Sequence, residues 1–280
     1  MSIYDLTSIA RPIDPSFPTN KAVIIIALLV AALGAIAAWL GWIAETAPQS
    51  AALIGSLTAV LAWAVTRELA PDDNPAAFVS LLLAVLIYFA VGSASLWQLI
   101  ICLFLVRVVN RSTGKPLTAF DVLTVLMLVL LAQDRLAQPL LLLVAAVSFA
   151  LDGALVEVNR KSRLAAVLCV VGPLAYAGFR GLPPLHLLAP PMIESVLVAL
   201  ILLASVLAIA LHKPVVSKGD VGGQTLSTTR VRMGMVVAVL VALQTFVSSD
   251  TAGANLDGLI WACLAGMVIG RLIPRPAAAV

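Results

Sequence analysis

Long apolar blocks, separated by short tracts that hold nearly every charged residue, constrain most strongly how this chain folds. In the hydrocarbon core of a bilayer an unpaired backbone group costs several kcal/mol, so only helices or closed barrels span it. Strands of a barrel would alternate apolar and polar residues, whereas these blocks are apolar throughout. The pattern therefore predicts an all-α, polytopic bundle of transmembrane helices.

The composition agrees with a chain embedded in lipid. Of the 280 residues, 62% are hydrophobic and 11% are charged, whereas a soluble domain carries roughly 25% charged residues. So few charges could not cover a surface that faces water. The three cysteines lie in separate apolar blocks, without the spacing of metal ligands, and we expect them to be core residues.

The blocks predict about ten helices, with residues 22–274 as the bundle, residues 1–21 as a cytoplasmic N-terminal segment and residues 275–280 as a cytoplasmic tail. Several blocks are shorter than the roughly 20 residues that a crossing needs. We therefore expect helices to extend into the flanking tracts; the sixth would run from Gln138 to Arg160. Internal hairpin or inverted repeats would also fit the pattern. The blocks are Ala22–Ile43, Ala51–Val65, Ala76–Val91, Leu96–Val109, Leu117–Leu131, Pro139–Leu151, Leu164–Phe179, Ile193–Leu211, Met233–Val247 and Leu256–Gly270.

The basic residues indicate which side of the membrane each tract faces, because cytoplasmic loops are enriched in Lys and Arg. If the N-terminus is cytoplasmic and the chain changes side at each block, Arg135 and Arg180 fall outside and the rest of the 17 basic residues fall inside. This partition predicts an even number of crossings, cytoplasmic termini and a bacterial inner membrane. The net charge of +3 then reflects residues at the membrane boundary and not a nucleic-acid partner.

Arg107, Asn110 and Arg111 form the first candidate site. Their spacing places them on one face of a helix, and arginine binds carboxylate or phosphate through two parallel hydrogen bonds. The pattern indicates binding of an anionic group on a small-molecule solute or a lipid. A basic anchor at the membrane boundary, followed by a tight turn, would produce the same pattern, so both interpretations remain open.

Asp121 and Asp152 lie within apolar blocks, where a carboxylate is costly and is a candidate functional residue by default. From the positions of Pro116 and Arg160 we expect these acids about 7 Å and about 12 Å inside their helices. Together with Arg160 they complete the predicted substrate-binding set, with structural ion pairs as the alternative. The predicted pairs are Asp121 with Arg107 or Arg111, and Asp152 with Arg160 or Arg163.

Asp72 and Asp73 are candidate metal ligands at the end of the second block. Adjacent carboxylates suit Mg²⁺, which is often held together with substrate phosphates. Capping of the next helix is the competing interpretation, because Asp is favoured at the position before a helix. The run Arg67-Glu68-Leu69-Ala70-Pro71-Asp72 resembles a tract at a helix boundary in uncharacterised bacterial multi-pass membrane proteins. The resemblance covers this loop and implies no activity.

Ten helices, short loops and cytoplasmic termini resemble the drug/metabolite transporter class in helix count and topology. The resemblance implies a small-solute carrier without a cofactor, whose polar vestibule faces the cytoplasm and takes an anionic or zwitterionic solute. One alternative is a Mg-dependent intramembrane enzyme acting on a phosphorylated or isoprenoid lipid, with Asp72 and Asp73 as metal ligands. The other is a non-catalytic membrane subunit or scaffold, which would bind a membrane-protein partner or a second copy of itself within the membrane lipid.

Overall fold

The computed structural model describes residues 6–43, 47–91, 96–132, 139–155, 158–180, 192–221, 223–248 and 258–273. Within these ranges the chain forms ten α-helices and no β-strand, which confirms the all-α class. Predictions for residues 1–5, Arg135, Gln138, Leu256 and the tail 275–280 lie outside the described residues. The helices are α1 Pro18–Trp39, α2 Pro48–Leu69, α3 Asn74–Val91, α4 Leu96–Asn110, α5 Ala119–Leu131, α6 Pro139–Ala154, α7 Arg160–Arg180, α8 Met192–Ala210, α9 Thr228–Ser248 and α10 Leu259–Gly270.

In the part of the chain that the structure describes, four helices are long and apolar enough to cross a membrane. They are α1, α2, α3 and the Thr228–Phe246 part of α9. Five further apolar stretches are shorter, namely α4, α5, α10, the Leu140–Ala154 part of α6 and the Ser195–Ala210 part of α8. The four candidate spans support a helical membrane protein, whereas crossing by the shorter helices remains a prediction.

The outer surface of the bundle carries many large apolar side chains, unlike that of a soluble protein. Large apolar side chains such as Leu28, Leu123 and Leu174 are more than half exposed on the outside of the bundle. Acidic side chains, including Glu68 and Asp152, are buried inside it. An outer surface of exposed leucines is favourable against lipid and unfavourable against water.

Helices α2, α4 and α9 form the centre of the bundle, and α10 packs against α2 and α3. Small residues allow the close approach of α10 and α3, because a Cβ at Gly266 would overlap Ser80. The Ser80 hydroxyl accepts a hydrogen bond from Thr66 on α2 at 2.7 Å and donates to the Cys263 carbonyl at 3.3 Å. Cys102, Cys169 and Cys263 are free and buried, which confirms the predicted core cysteines.

One end of the bundle, which we call the polar end, is formed by the N-terminal segment and by the connections that follow α2, α4, α6 and α8. Hydrogen bonds join these segments to one another. Thr113 donates to the Ser8 carbonyl at 2.5 Å and accepts from the Val221 N–H, through its own carbonyl, at 3.0 Å. Asn159 donates to the Leu117 carbonyl at 3.3 Å. The contacts bring together tracts that the basic-residue pattern assigned to one side of the membrane.

Asp121 and Asp152 lie at the ends of helices, so the predicted depths are wrong. Helix α5 begins at Ala119, which makes Asp121 its third residue. Helix α6 ends at Ala154 and α7 begins at Arg160, so no continuous helix runs to Arg160. The physical reason is that the chain turns back after Asp152, whose carboxylate accepts hydrogen bonds from side chains at the start of α7 and just before it.

Candidate functional site

Glu68, near the end of α2, is the centre of a group of charged side chains that we call the Glu68 cluster. Its side chain is 2% exposed, and Oε1 lies 3.2 Å from Arg11 Nη1 and 3.0 Å from Arg107 Nε. Arg11 also binds Asp220 through two parallel hydrogen bonds of 2.6 and 2.7 Å. Burial opposes the charge of Arg11, but the carboxylates of Glu68 and Asp220 raise the pKa of its guanidinium above the ordinary value. The cluster therefore joins the N-terminal segment, α2, α4 and the connection after α8.

Asp152, at the end of α6, is the centre of a second group, the Asp152 cluster. Its Oδ1 lies 2.6 Å from Arg111 Nε and 3.1 Å from Arg230 Nη1. Its Oδ2 accepts hydrogen bonds from Ser162 at 2.6 Å and Asn159 at 3.4 Å. Asp152 is fully buried, and the side chains of Arg111 and Arg230 are 5% and 6% exposed. The predicted partners Arg160 and Arg163 are therefore wrong: Arg163 Nε donates to the Gly153 carbonyl, and Arg160 is exposed.

Arg111 adopts a left-handed backbone conformation, with φ of 47°. This conformation commonly follows the end of a helix, but glycine usually occupies it, and it costs other residues of order 1–3 kcal/mol. The turn directs the Arg111 guanidinium into the Asp152 cluster, while the preceding Asn110 side chain donates to the Glu68 carbonyl at 2.8 Å. One helix end thus contributes to both clusters.

Asp121 binds the N-terminal segment. One oxygen accepts a hydrogen bond from the Thr7 hydroxyl at 2.5 Å, and the other accepts from the Ser8 hydroxyl at 2.7 Å and the Ser8 N–H at 3.0 Å. With Thr118 it also forms a capping box at the start of α5. The hydrogen bonds of Asp121 come from hydroxyl and backbone groups, so the predicted pairing with Arg107 or Arg111 is wrong.

A cavity of about 640 Å³ lies beside the Glu68 cluster, between the N-terminal segment, α2, α4 and the connection after α8. Six residues of α2 line it, and the spacing of four of them places these on one helix face: Val60, Trp63, Ala64 and Arg67. Helix α4 contributes two residues one turn apart, Leu103 and Arg107, and the N-terminal segment contributes Arg11, Asp14 and Phe17. Lys218 and Asp220 complete the charged part of the wall.

Arg67 and Lys218 are the cations of this cavity that no carboxylate of the described residues pairs with. The Arg67 guanidinium donates to the Asn74 side-chain oxygen and lies 5.9 Å from the centre of the Trp63 ring, a cation–π arrangement. The Lys218 side chain is exposed, and the backbone of Lys218 forms an antiparallel β-bridge with Thr225. These two side chains can accept an anionic group without breaking an existing ion pair.

The predicted substrate-binding residues do not form a single site. Arg107 alone lines the cavity, Asn110 binds the Glu68 carbonyl, and Arg111 and Asp152 belong to the buried cluster. The sequence did not point to Glu68, Lys218 or Arg230 as site residues. The spacing of Val60, Trp63, Ala64 and Arg67 could have indicated the cavity face of α2.

The carboxylates of Asp72 and Asp73 accept hydrogen bonds from backbone N–H groups of the protein. The two oxygens of Asp72 accept hydrogen bonds from the backbone N–H groups of Val216 and Ser217 at 2.9 and 2.7 Å. Asp73 is buried and accepts from the Ala76 N–H at 3.4 Å, in the manner of a helix cap. Among the described residues, no group of three or more His, Cys, Asp or Glu side chains could hold a metal ion.

Comparison with known proteins supports neither of the two resemblances drawn from the sequence, that of the Arg67–Asp72 run and that of the helix count and topology. No family model, no curated protein and no solved structure matches this chain.

Proposed function

We propose that this protein is a multi-pass carrier that moves a small anionic or zwitterionic solute across a bacterial inner membrane. The observation that carries the proposal is the cavity at the polar end, which combines a volume of about 640 Å³ with two cations, Arg67 and Lys218, that pair with no carboxylate of the described residues. Binding sites for small molecules commonly have volumes of roughly 300–1,000 Å³. The volume and the charge therefore suit a metabolite-sized anion.

In this proposal all ten helices cross the membrane, both termini are cytoplasmic and the polar end faces the cytoplasm. The four long apolar helices support membrane insertion, and the enrichment of Lys and Arg in the segments of the polar end supports the orientation. The shorter helices would cross together with their flanking residues or where neighbouring helices cover their ends.

A carrier must open its site to one side of the membrane at a time. The N-terminal segment forms one wall of the cavity, and Arg11 and Arg107 connect that wall to Glu68. Movement of the N-terminal segment relative to α2 and α4 would change which groups form these ion pairs. The Glu68 cluster would then couple occupation of the cavity to access from the cytoplasm.

The scaffold alternative also has an observation in its favour. Asp121 and Asp152 are fully buried and bound by groups of the protein itself, as expected for residues that hold helices together. The enzyme alternative remains a prediction, with Asp72 and Asp73 as its metal ligands. The contacts of these two carboxylates to the backbone do not favour it.

Transport by the purified full chain in proteoliposomes tests the carrier proposal. Internal solutes of three classes, anionic, zwitterionic and cationic, would each be exchanged against a radiolabelled external solute of the same class. We expect saturable exchange of an anion or a zwitterion, strong loss of exchange in Arg67→Gln, and wild-type exchange in Lys161→Gln. Lys161 is a matched control, because it is basic, exposed and outside the cavity. No exchange in any class would contradict a carrier and favour the scaffold.

A further inference from the structure

The cavity wall changes from apolar to cationic along α2. Val60 and Ala64 precede Arg67 on the same helix face, and Val60 lies about 10 Å from Arg67 along the helix axis. Helix α4 repeats the order, since Leu103 precedes Arg107 by one turn. Both helices therefore present apolar side chains towards the interior of the bundle and guanidinium groups towards the polar end.

The charges in the cavity favour an anion over a zwitterion or a cation. Glu68 is bound by Arg11 and Arg107, and Asp220 is bound by Arg11. Asp14 is exposed, and one of its carboxylate oxygens accepts the Ser16 N–H at 2.9 Å. Two cations, Arg67 and Lys218, therefore face a single carboxylate that has no cationic partner among the described residues.

We infer that the cavity binds a small amphiphilic anion with a single apolar chain. Its carboxylate or phosphate contacts Arg67 and Lys218, and its apolar body extends about 10 Å along Val60 and Leu103. A fully hydrophilic anion would leave the apolar wall in water, and a neutral amphiphile would leave the two cations without a partner. The inference rests on the proposed function in one respect: it names the solute that the carrier would move.

Binding of octyl phosphate to the full chain in a neutral detergent tests this inference. Inorganic phosphate supplies the anion without the chain, and octanol supplies the chain without the anion. We expect octyl phosphate to raise the melting temperature of the protein and the other two probes to leave it unchanged. Equal effects of octanol and octyl phosphate would overturn recognition of the anion, and equal effects of the two phosphates would overturn the apolar part of the site.

Variants separate the cavity from nonspecific partition into the detergent. Arg67→Gln and Lys218→Gln should each weaken octyl phosphate binding by about tenfold, since each removes a charge-assisted contact. Lys161→Gln and Lys213→Gln are controls, being exposed basic residues outside the cavity, and should bind as the wild type does. Val60→Phe fills the apolar part and should weaken octyl phosphate binding while the melting temperature without ligand is retained. Equal affinity in all five variants would overturn the inference.

The natural anion could be water-soluble or a lipid of the bilayer, and nanodiscs distinguish the two. If a minor fraction of lysophosphatidylglycerol, an anionic lipid with one acyl chain, in the nanodisc weakens octyl phosphate binding relative to lysophosphatidylcholine, the occupant is a membrane lipid. Unchanged binding supports a soluble amphiphile.

The two proposals fail in different ways. Binding of octyl phosphate without exchange of any solute would contradict the carrier and leave the amphiphile site intact. Exchange of a hydrophilic solute without octyl phosphate binding would overturn this inference and leave the carrier intact.

Discussion

The Glu68 and Asp152 clusters share one chemical arrangement, a buried carboxylate between two arginines, but they differ in access to water. Both arginines of the Asp152 cluster are nearly buried, at 5% and 6% exposed. Those of the Glu68 cluster are 25% and 12% exposed and line a cavity. The closed cluster joins helix ends away from water, whereas water reaches the arginines of the open one. Burial of the arginines, more than the motif itself, separates a structural role from a candidate site.

Removing the charge of Asp152 should have the largest effect on stability. Asp152→Asn keeps the shape of the side chain but leaves Arg111 and Arg230 buried beside a neutral group. Loss of one partner from a buried ion pair costs about 3–5 kcal/mol, so the melting temperature of the purified protein should fall steeply. Asp14→Asn, at an exposed carboxylate, is the control. A fall no larger than that of the control would break the distinction between the clusters.

Glu68→Gln should destabilise the protein less. Arg11 and Arg107 are partly exposed, so water can solvate them once the carboxylate is lost. Because ion pairs whose partners remain in contact with water contribute less than buried ones, we expect a smaller fall in melting temperature than for Asp152→Asn. The same variant frees Arg107 beside the cavity, while Arg11 still binds Asp220, and should tighten octyl phosphate binding. Weaker binding would contradict the open character of this cluster.

The double variant Thr7→Ala and Ser8→Ala should release the N-terminal segment with a smaller cost. It removes two hydroxyl donors to Asp121 but keeps the capping box between Asp121 and Thr118. A net loss of about 1 kcal/mol per hydrogen bond should make cleavage of the N-terminal segment by proteinase K faster by about tenfold or more. Cleavage at the wild-type rate would show that other contacts, such as that of Arg107 with the Ile9 carbonyl, hold the segment alone.

The smallest expected effect concerns pH and His212. Arg271 donates a hydrogen bond to Nδ1 of His212 at 2.5 Å. Burial lowers the pKa of His212 to about 4; the charges of Arg271 and Arg232 also lower it, and the charge of Asp72 opposes them. The unfolded ring titrates near 6.5, so the stabilisation is complete above that pH and is lost as the pH falls towards about 4. The melting temperature of His212→Gln should therefore decrease less over this interval than that of the wild type. Identical pH profiles would contradict the prediction.

The fold could largely be predicted from the sequence, because helix formation in an apolar block depends on local residues and on the lack of water for the backbone. Each of the ten blocks contains a described helix, and the start of α4 and the end of α3 agree with the prediction to the residue. The end of α6 does not agree with the prediction, because local propensity also allows a continuous helix to Arg160. Hydrogen bonds from Asn159 and Ser162 to Asp152, which depend on the chain turning back, decide that end.

The sequence by itself determined the helical class, the ten helices and the concentration of polar residues in particular connections. The tertiary structure alone decided which of those polar residues meet. Arg11 and Asp220, like Arg230 and Asp152, are far apart in the chain, and no local spacing relates them. A charge near a lipid boundary requires a partner, but every tract on the same side supplies candidates. Which candidate binds depends on how α2, α4 and α9 pack, and that packing also created the cavity.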